Sequence, residues 1–270
     1  MFVDTHCHLD FDWFEADRDN VINRAREAGV QRILNPGINL DSSLRAVRMA
    51  RDYQELFVAV GVHPNEAISW DNHSYDELNN LGRNKKVVAI GEIGLDYYRD
   101  KTPIEIQKKA LEEQLALAAE LNLPVIIHCR NENPNNAKAI LDVLQMLERW
   151  KDKINYQTWD LPLGVLHSYS GSLEAAKSAI ELGFVIGITG PITFQKAENL
   201  RHLVERIPLD YLLIETDAPF LTPHPFRGKR NEPANVKLIA QKIAQVKNLP
   251  LEQVEEITTM NAERLFHWLA

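Results

Sequence analysis

Phe2-Val-Asp-Thr-His-Cys-His8 is a short apolar strand signal that runs straight into two histidines. Alternation along an extended chain turns His6 and His8 to the same side. Seven more apolar, β-branched runs follow: Arg32–Leu34, Phe57–Val62, Val87–Ile90, Val125–Ile127, Gly164–Leu166, Phe184–Ile188 and Tyr211–Ile214. None alternates strictly between polar and apolar, the mark of strands buried on both faces of a parallel sheet. The stretches between them read as helices. Ile104, Leu111, Leu115, Ala118 and Leu121 recur at helical spacing. Asn133-Pro134 reads as a cap followed by a first-turn proline, opening a helix to about Trp150. Ser172 and Glu174 open another, which stops at Gly183. Two more, about Ala234–Val246 and Leu251–Leu269, fill the C-terminal end. Eight strand–helix units in 270 residues predict one domain, 1–270, folded as a closed (β/α)8 TIM-type barrel. An open doubly wound sheet is disfavoured, because no glycine-rich phosphate loop follows any strand.

Composition sets outer bounds. Hydrophobic residues at 45% and charged residues at 25% are ordinary for a globular protein, so a large core is available. No apolar run approaches the ~18 residues of a membrane span, and the N-terminus lacks the basic and apolar regions of a secretory signal. With Cys7 and Cys129 as the two cysteines, a disulfide scaffold is not expected. A cytoplasmic monomer with no obligate protein partner is the expectation. The net charge of −8 excludes a general basic coat for nucleic acid, but not a nuclease that holds a polyanion locally.

What carries function is the residue at each strand's end. The first run leads to His6 and His8, the third to His63, the fourth to Glu92, the fifth to His128 and Arg130, the sixth to His167, and the eighth to Glu215-Thr-Asp217. In a (β/α)8 barrel these ends meet at one mouth, where active sites sit. A lone histidine there is usually structural, and Asp217 alone reads as a turn cap. Six such groups together are costly to bury without a cation. We therefore expect two divalent ions, held by His6, His8, Glu92, His128, His167 and Asp217. His6, His8 and Asp217 would take one ion, His128 and His167 the other, and Glu92 would bridge them. Glu92 and Asp217 are the catalytic candidates, with Asp217 as general base for a water activated between the ions. His63 and Arg130 would hold the substrate anion, Arg130 as a bidentate fork. Tyr98 is a candidate for stacking on a base and Arg227 for a backbone contact; Tyr97, Lys229 and Arg230 are weaker candidates of the same kinds. Cys7 and Cys129 alternate with inward residues and so should face the helices.

These stretches resemble the TatD family of metal-dependent deoxyribonucleases, within the wider amidohydrolase-like barrels. The resemblance rests on Asp4–Asp10, Gly61–Pro64, Gly91–Tyr98, Ile127–Arg130, Leu166–Gly171, Leu213–Phe220 and Arg227–Pro233, and spans almost the whole chain. It implies a TIM-type barrel and metal-dependent 3′–5′ exonuclease activity on single-stranded DNA. It also implies metal binding at the same six positions. Magnesium or manganese is expected in activity, although four imidazoles also favour zinc or another transition metal. Two local departures, the polar run Asn131–Pro134 and the long link Lys151–Pro162, bear on substrate preference. The alternative is an ester or amide hydrolase on the same site, acting for example on aminoacyl-tRNA.

Overall fold

The computed structural model describes residues 1–99, 101–133, 136–154 and 162–268. Eight parallel strands stand side by side in chain order: β1 (Phe2–Asp4), β2 (Val30–Pro36), β3 (Leu56–Val60), β4 (Val87–Asp96), β5 (Val125–Arg130), β6 (Gly164–Leu166), β7 (Phe184–Ile188) and β8 (Leu212–Ile214). Consecutive neighbours are what helical crossovers between parallel strands produce. The barrel closes just beyond the last and first strands. Thr5 N donates to Ile214 O at 3.2 Å, Asp217 N to His6 O at 2.8 Å and His8 N to Ala218 O at 2.8 Å, and Cys7 bridges Ala218. That seam sets Asp217 against His6 and His8.

Among the described residues the returning helices are α1 (Arg18–Glu27), α2 (Leu40–Met49), α3 (Asn72–Gly82), α4 (Ile104–Leu121), α5 (Lys138–Lys153), α6 (Leu173–Glu181), α7 (Glu198–Arg206), α8 (Val236–Lys247) and α9 (Leu251–Phe266). Three of these starts carry side-chain caps: Asn39 accepts from Ser42 N, Asp71 from Ser74 N and Ser172 from Ala175 N. The helices α4 and α8 end on Asn122 and Asn248 in left-handed geometry, φ 54° and 52°. The expected α5 begins later than Asn133. Its first turn is satisfied by Asn136, which accepts from Lys138 N, and by Asn131, which accepts from Ile140 N. Pro134 and most of the Lys151–Pro162 link lie outside the described residues. None of the described helices is long and apolar enough to cross a membrane.

Strand alternation separates two apolar clusters. One joins the strands' outer faces to the helices. The other takes inward residues from every strand, such as Val3, Leu34, Ile126 and Leu213, and is plugged by Phe266 at the end of α9 and Trp268 beyond it. Trp268 is 2% exposed and packs on Phe57 and Phe266, with ring centroids 5.3 and 5.0 Å away. Trp268→Ala should therefore lower the urea-unfolding free energy by about 3 kcal/mol, the cost of an unfilled aromatic site, while the exposed Met260→Ala should leave it nearly unchanged. Equal effects from the two would contradict this packing.

Candidate metal centre

Beyond β1 the chain stays extended long enough for His6 and His8 to turn inward together. Their Nε2 atoms lie 3.2 Å apart. Glu92 Oε2, from β4, is 3.3 Å from His6 Nε2 and 3.7 Å from His8 Nε2. Asp217 Oδ1, past β8, is 3.9 and 3.6 Å from the same two atoms. Four donors around an ion with bonds of about 2.1 Å stand roughly 3.4 Å apart along the edges of a tetrahedron. The donor set therefore fits a divalent ion in both spacing and chemistry. Asp217 and Ser168 both take left-handed backbone conformations, φ 54° and 45°, where their strands end. Such positions cluster at functional sites, and Asp is among the residues that tolerate them.

The other carboxylate oxygen, Glu92 Oε1, is surrounded by His128 Nδ1 at 2.7 Å, His63 Nε2 at 3.7 Å and His167 Nε2 at 3.8 Å. Hydrogen bonds on the far side of each ring decide what it can do. His167 Nδ1 points at Glu215 Oε2, 3.0 Å away, which leaves the Nε2 lone pair aimed inward. His128 Nε2 points at Asp96 Oδ2, 3.3 Å away, which leaves Nδ1 inward. His63 is the reverse. Its Nδ1 accepts from Asn65 N at 3.0 Å, so a neutral His63 carries its proton on the inward Nε2. That geometry makes His63 a hydrogen-bond donor to an anion and a poor ligand.

Charge follows the same arrangement. Burial opposes ionisation of Glu92, yet the imidazoles packed around it, with His128 hydrogen-bonded to Oε1, hold it well below the usual carboxylate range. Burial opposes Asp217 too, and His8, His167 and His6 outweigh it, so this carboxyl is also held down. Burial would push His128 down, but bonds to Asp96 and Glu92 raise it to about 9. His167 likewise rises to about 9 against burial, through the charge and hydrogen bond of Glu215. Burial and the neighbouring His128 lower His63 to about 3, so it stays neutral. The Nδ1 atoms of His6 and His8 are buried and meet no hydrogen-bond partner among the described residues, while their Nε2 atoms are the ones that meet Glu92 and Asp217.

The partners behind the histidines escape a reading of strand ends. Asp96 sits four residues past Glu92 on the same strand, opposite Arg130 in register, and also accepts from the backbone of Tyr98 and Arg99. Glu215 stands among the strand-end residues in sequence with no role assigned; it is fully buried and accepts from Ser168 N as well as facing His167. Asp4 clamps Thr216 through both oxygens, at 2.8 and 2.5 Å, and ties β1 to the turn that carries Asp217. Among the weaker candidates, Arg130 lies over the Tyr98 ring at 3.9 Å and Arg227 over Phe194 at 4.3 Å. One Tyr98 face is thus occupied by Arg130. Tyr97 donates to Asp142, and Arg230 is bound to both Asp17 oxygens and to Trp13 O, so neither is free for substrate. Cys7 and Cys129 pack with the helix-facing cluster, and burial raises both thiols, Cys129 to about 12.

A family model described as TatD related DNase matches residues 3–267. A Bacillus subtilis protein named an uncharacterized metal-dependent hydrolase is 42% identical over 267 residues, covering 98% of this chain and 99% of that protein. A Cronobacter sakazakii protein named a 3′-5′ ssDNA/RNA exonuclease is 40% identical over 259 residues, covering 94% and 93%. The crystal structure of an Escherichia coli TatD homologue superposes with a TM-score of 0.89 at 34% identity, covering 98% of each chain.

Two measurements probe the charges behind the ring nitrogens. Glu215→Gln should weaken divalent-ion binding roughly 10- to 100-fold by calorimetry, because it withdraws the charge that orients His167; unchanged affinity would free His167 from that dependence. Without metal, His128 and His167 hold protons up to about 9 in the fold against 6.5 unfolded. That stability is complete below pH 6.5 and lost as pH rises through about 9. The urea midpoint of chelator-treated protein should therefore fall across this window, and added divalent ion should reverse the fall while releasing protons. A flat midpoint would contradict the raised values.

Proposed function

The chain belongs to the TatD-related DNase family of metal-dependent hydrolases, and from that membership we propose that it shortens single-stranded DNA from the 3′ end. The observation that carries this reading is the single carboxylate Glu92 shared by two sets of imidazoles, with Asp217 completing the first set. His6, His8, Glu92 and Asp217 would hold one ion, and Glu92, His128 and His167 a second. Bound there, such ions acidify the attacking water and draw charge from the phosphate oxygens.

The chain's own side chains supply the rest. Asp217 is the most open of the carboxylates in the cluster, with 16% of its side chain exposed against 4% for Glu92. Its carboxyl is held down and so ionised at neutral pH, as a general base must be, and from the mouth it would face an attacking water. His63, neutral and protonated on Nε2, donates to a phosphate oxygen without adding charge that would trap the product. Arg130, braced on Tyr98, presents its planar fork to the same phosphate. Divalent ions would offset the carboxylates crowded at the mouth and so let a phosphate anion approach. The relative named for both single-stranded DNA and RNA supports a single-stranded polynucleotide as the substrate class.

Chelator-treated enzyme should cut 5′-labelled single-stranded DNA into a ladder from the 3′ end only after magnesium or manganese is restored. Glu92→Ala should abolish that ladder, and full activity in this variant would rule out a shared carboxylate. Arg130→Ala should raise KM for DNA on the order of 10-fold, the loss of a charge-assisted bond, with the bound metal content unchanged. An unaltered KM would remove Arg130 from phosphate binding.

A further inference from the structure

A run of aromatic rings leaves the centre toward solvent, and neither ion binding nor phosphate binding uses it. Phe11 stacks on the His8 imidazole, centroids 4.7 Å apart and planes at 15°. Phe220 meets Phe11 edge-on at 6.1 Å, and Trp13 meets Phe220 edge-on at 6.4 Å. The rings form an unbroken path from a proposed ligand to the surface, where Trp13 is 60% and Phe220 45% exposed.

Both exposed rings stand on fixed backbone. Arg230 Nη1 donates to Trp13 O at 2.6 Å while the same guanidinium grips Asp17 and lies over Phe14, 4.7 Å from that buried ring's centroid. Phe220 N donates to Asp217 O at 2.8 Å, and Phe220 O accepts from Asn231 Nδ2 at 2.7 Å. The two rings therefore move with the loops that carry His8 and Asp217. A preordered aromatic surface that stays open to water is a stacking platform, because it binds flat apolar faces with little loss of side-chain freedom. Asp12 and Glu15 are exposed beside Trp13, so this surface disfavours phosphate. An uncharged, flat ring attached to a phosphate held nearer the centre meets both conditions.

We propose that Trp13 and Phe220 form the platform on which bases next to the scissile phosphate stack, so that this surface reads the single-stranded character of the substrate. In a duplex those bases are held by pairing and stacking; in a single strand they are unpaired and can swing out onto the rings. The proposal rests on the polynucleotide reading above, and it adds a determinant on the side of the mouth opposite in kind to Arg130: it takes bases, where Arg130 takes phosphate.

The test compares cleavage of a thymidine oligomer with an oligomer of equal length whose 3′-terminal positions carry abasic tetrahydrofuran sugars. Trp13→Ala should raise KM on the base-bearing strand about 10-fold, within the range of losing one stacked base, and leave the abasic strand unchanged. Trp13→Phe should recover most of the loss, and Phe220→Ala should behave like Trp13→Ala. An unchanged KM, or an equal loss on both strands, would overturn the platform and leave the nuclease reading standing. Wild-type enzyme that hydrolyses bis(4-nitrophenyl) phosphate but cleaves neither strand would overturn the polynucleotide reading and the platform with it.

Discussion

Glu92 has 4% of its side chain exposed, and five imidazoles lie within 4 Å of its two oxygens. A carboxylate buried this deeply has lost its hydration, and only nearby positive charge makes its ionised form tolerable. In the metal-free protein, protons on His128 and His167 supply that charge. Divalent ions would do so more strongly, by taking the lone pairs those protons occupy. The same requirement explains the surrounding residues. Asp96 and Glu215 keep the outward nitrogens protonated and the inward ones aimed at the centre, while Asn65 reverses this for His63.

The barrel meets the requirement by drawing donors from five strands to one mouth: His6 and His8 just beyond β1, Glu92 and His128 within β4 and β5, and His167 and Asp217 beyond β6 and β8. Closure beyond β8 and β1, rather than between them, fixes Asp217 to His6 by a backbone bond and leaves both side chains facing inward. Space for the supporting carboxylate comes from β7. A side chain at Gly187 would collide with the Glu215 carboxylate. Gly94 has φ 145° and lies against the His128 carbonyl, where an added Cβ would push β4 off β5 and carry Glu92 away from His128. Helix caps and core packing are ordinary by comparison. They hold the strands in register, and the register places the donors.

Much of this was legible in the sequence because the signal is local. Six of the eight apolar runs lead into a residue that can bind a metal or a proton, and a barrel brings those six endings to one place. Strand β8 and helices α4 and α6 fall within a residue or two of their expected bounds, because apolar spacing and caps set them. Roles that depend on what lies behind a residue were not legible. Asp96 reads as one more charged residue in a conspicuous motif until the register sets it behind His128. Arg230 resembles Arg227 in sequence, but Asp17, more than two hundred positions away, consumes its guanidinium. Nothing in the sequence separates Phe11 and Trp13 from Phe14, yet of the three only Phe14 is buried. The late start of α5 shows the limit of proline as a signal: the helix opens where asparagine side chains satisfy its first amides.

Everything at this mouth depends on Glu92 being shared between two cation sites. The most direct measurement is a crystal structure grown with manganese, with anomalous maps collected on both sides of the manganese absorption edge. We expect one peak within about 2.3 Å of His6 Nε2, His8 Nε2 and Glu92 Oε2, and a second near Glu92 Oε1, His128 Nδ1 and His167 Nε2. Manganese found elsewhere, or a well-ordered mouth with no anomalous peak at Glu92, would contradict it.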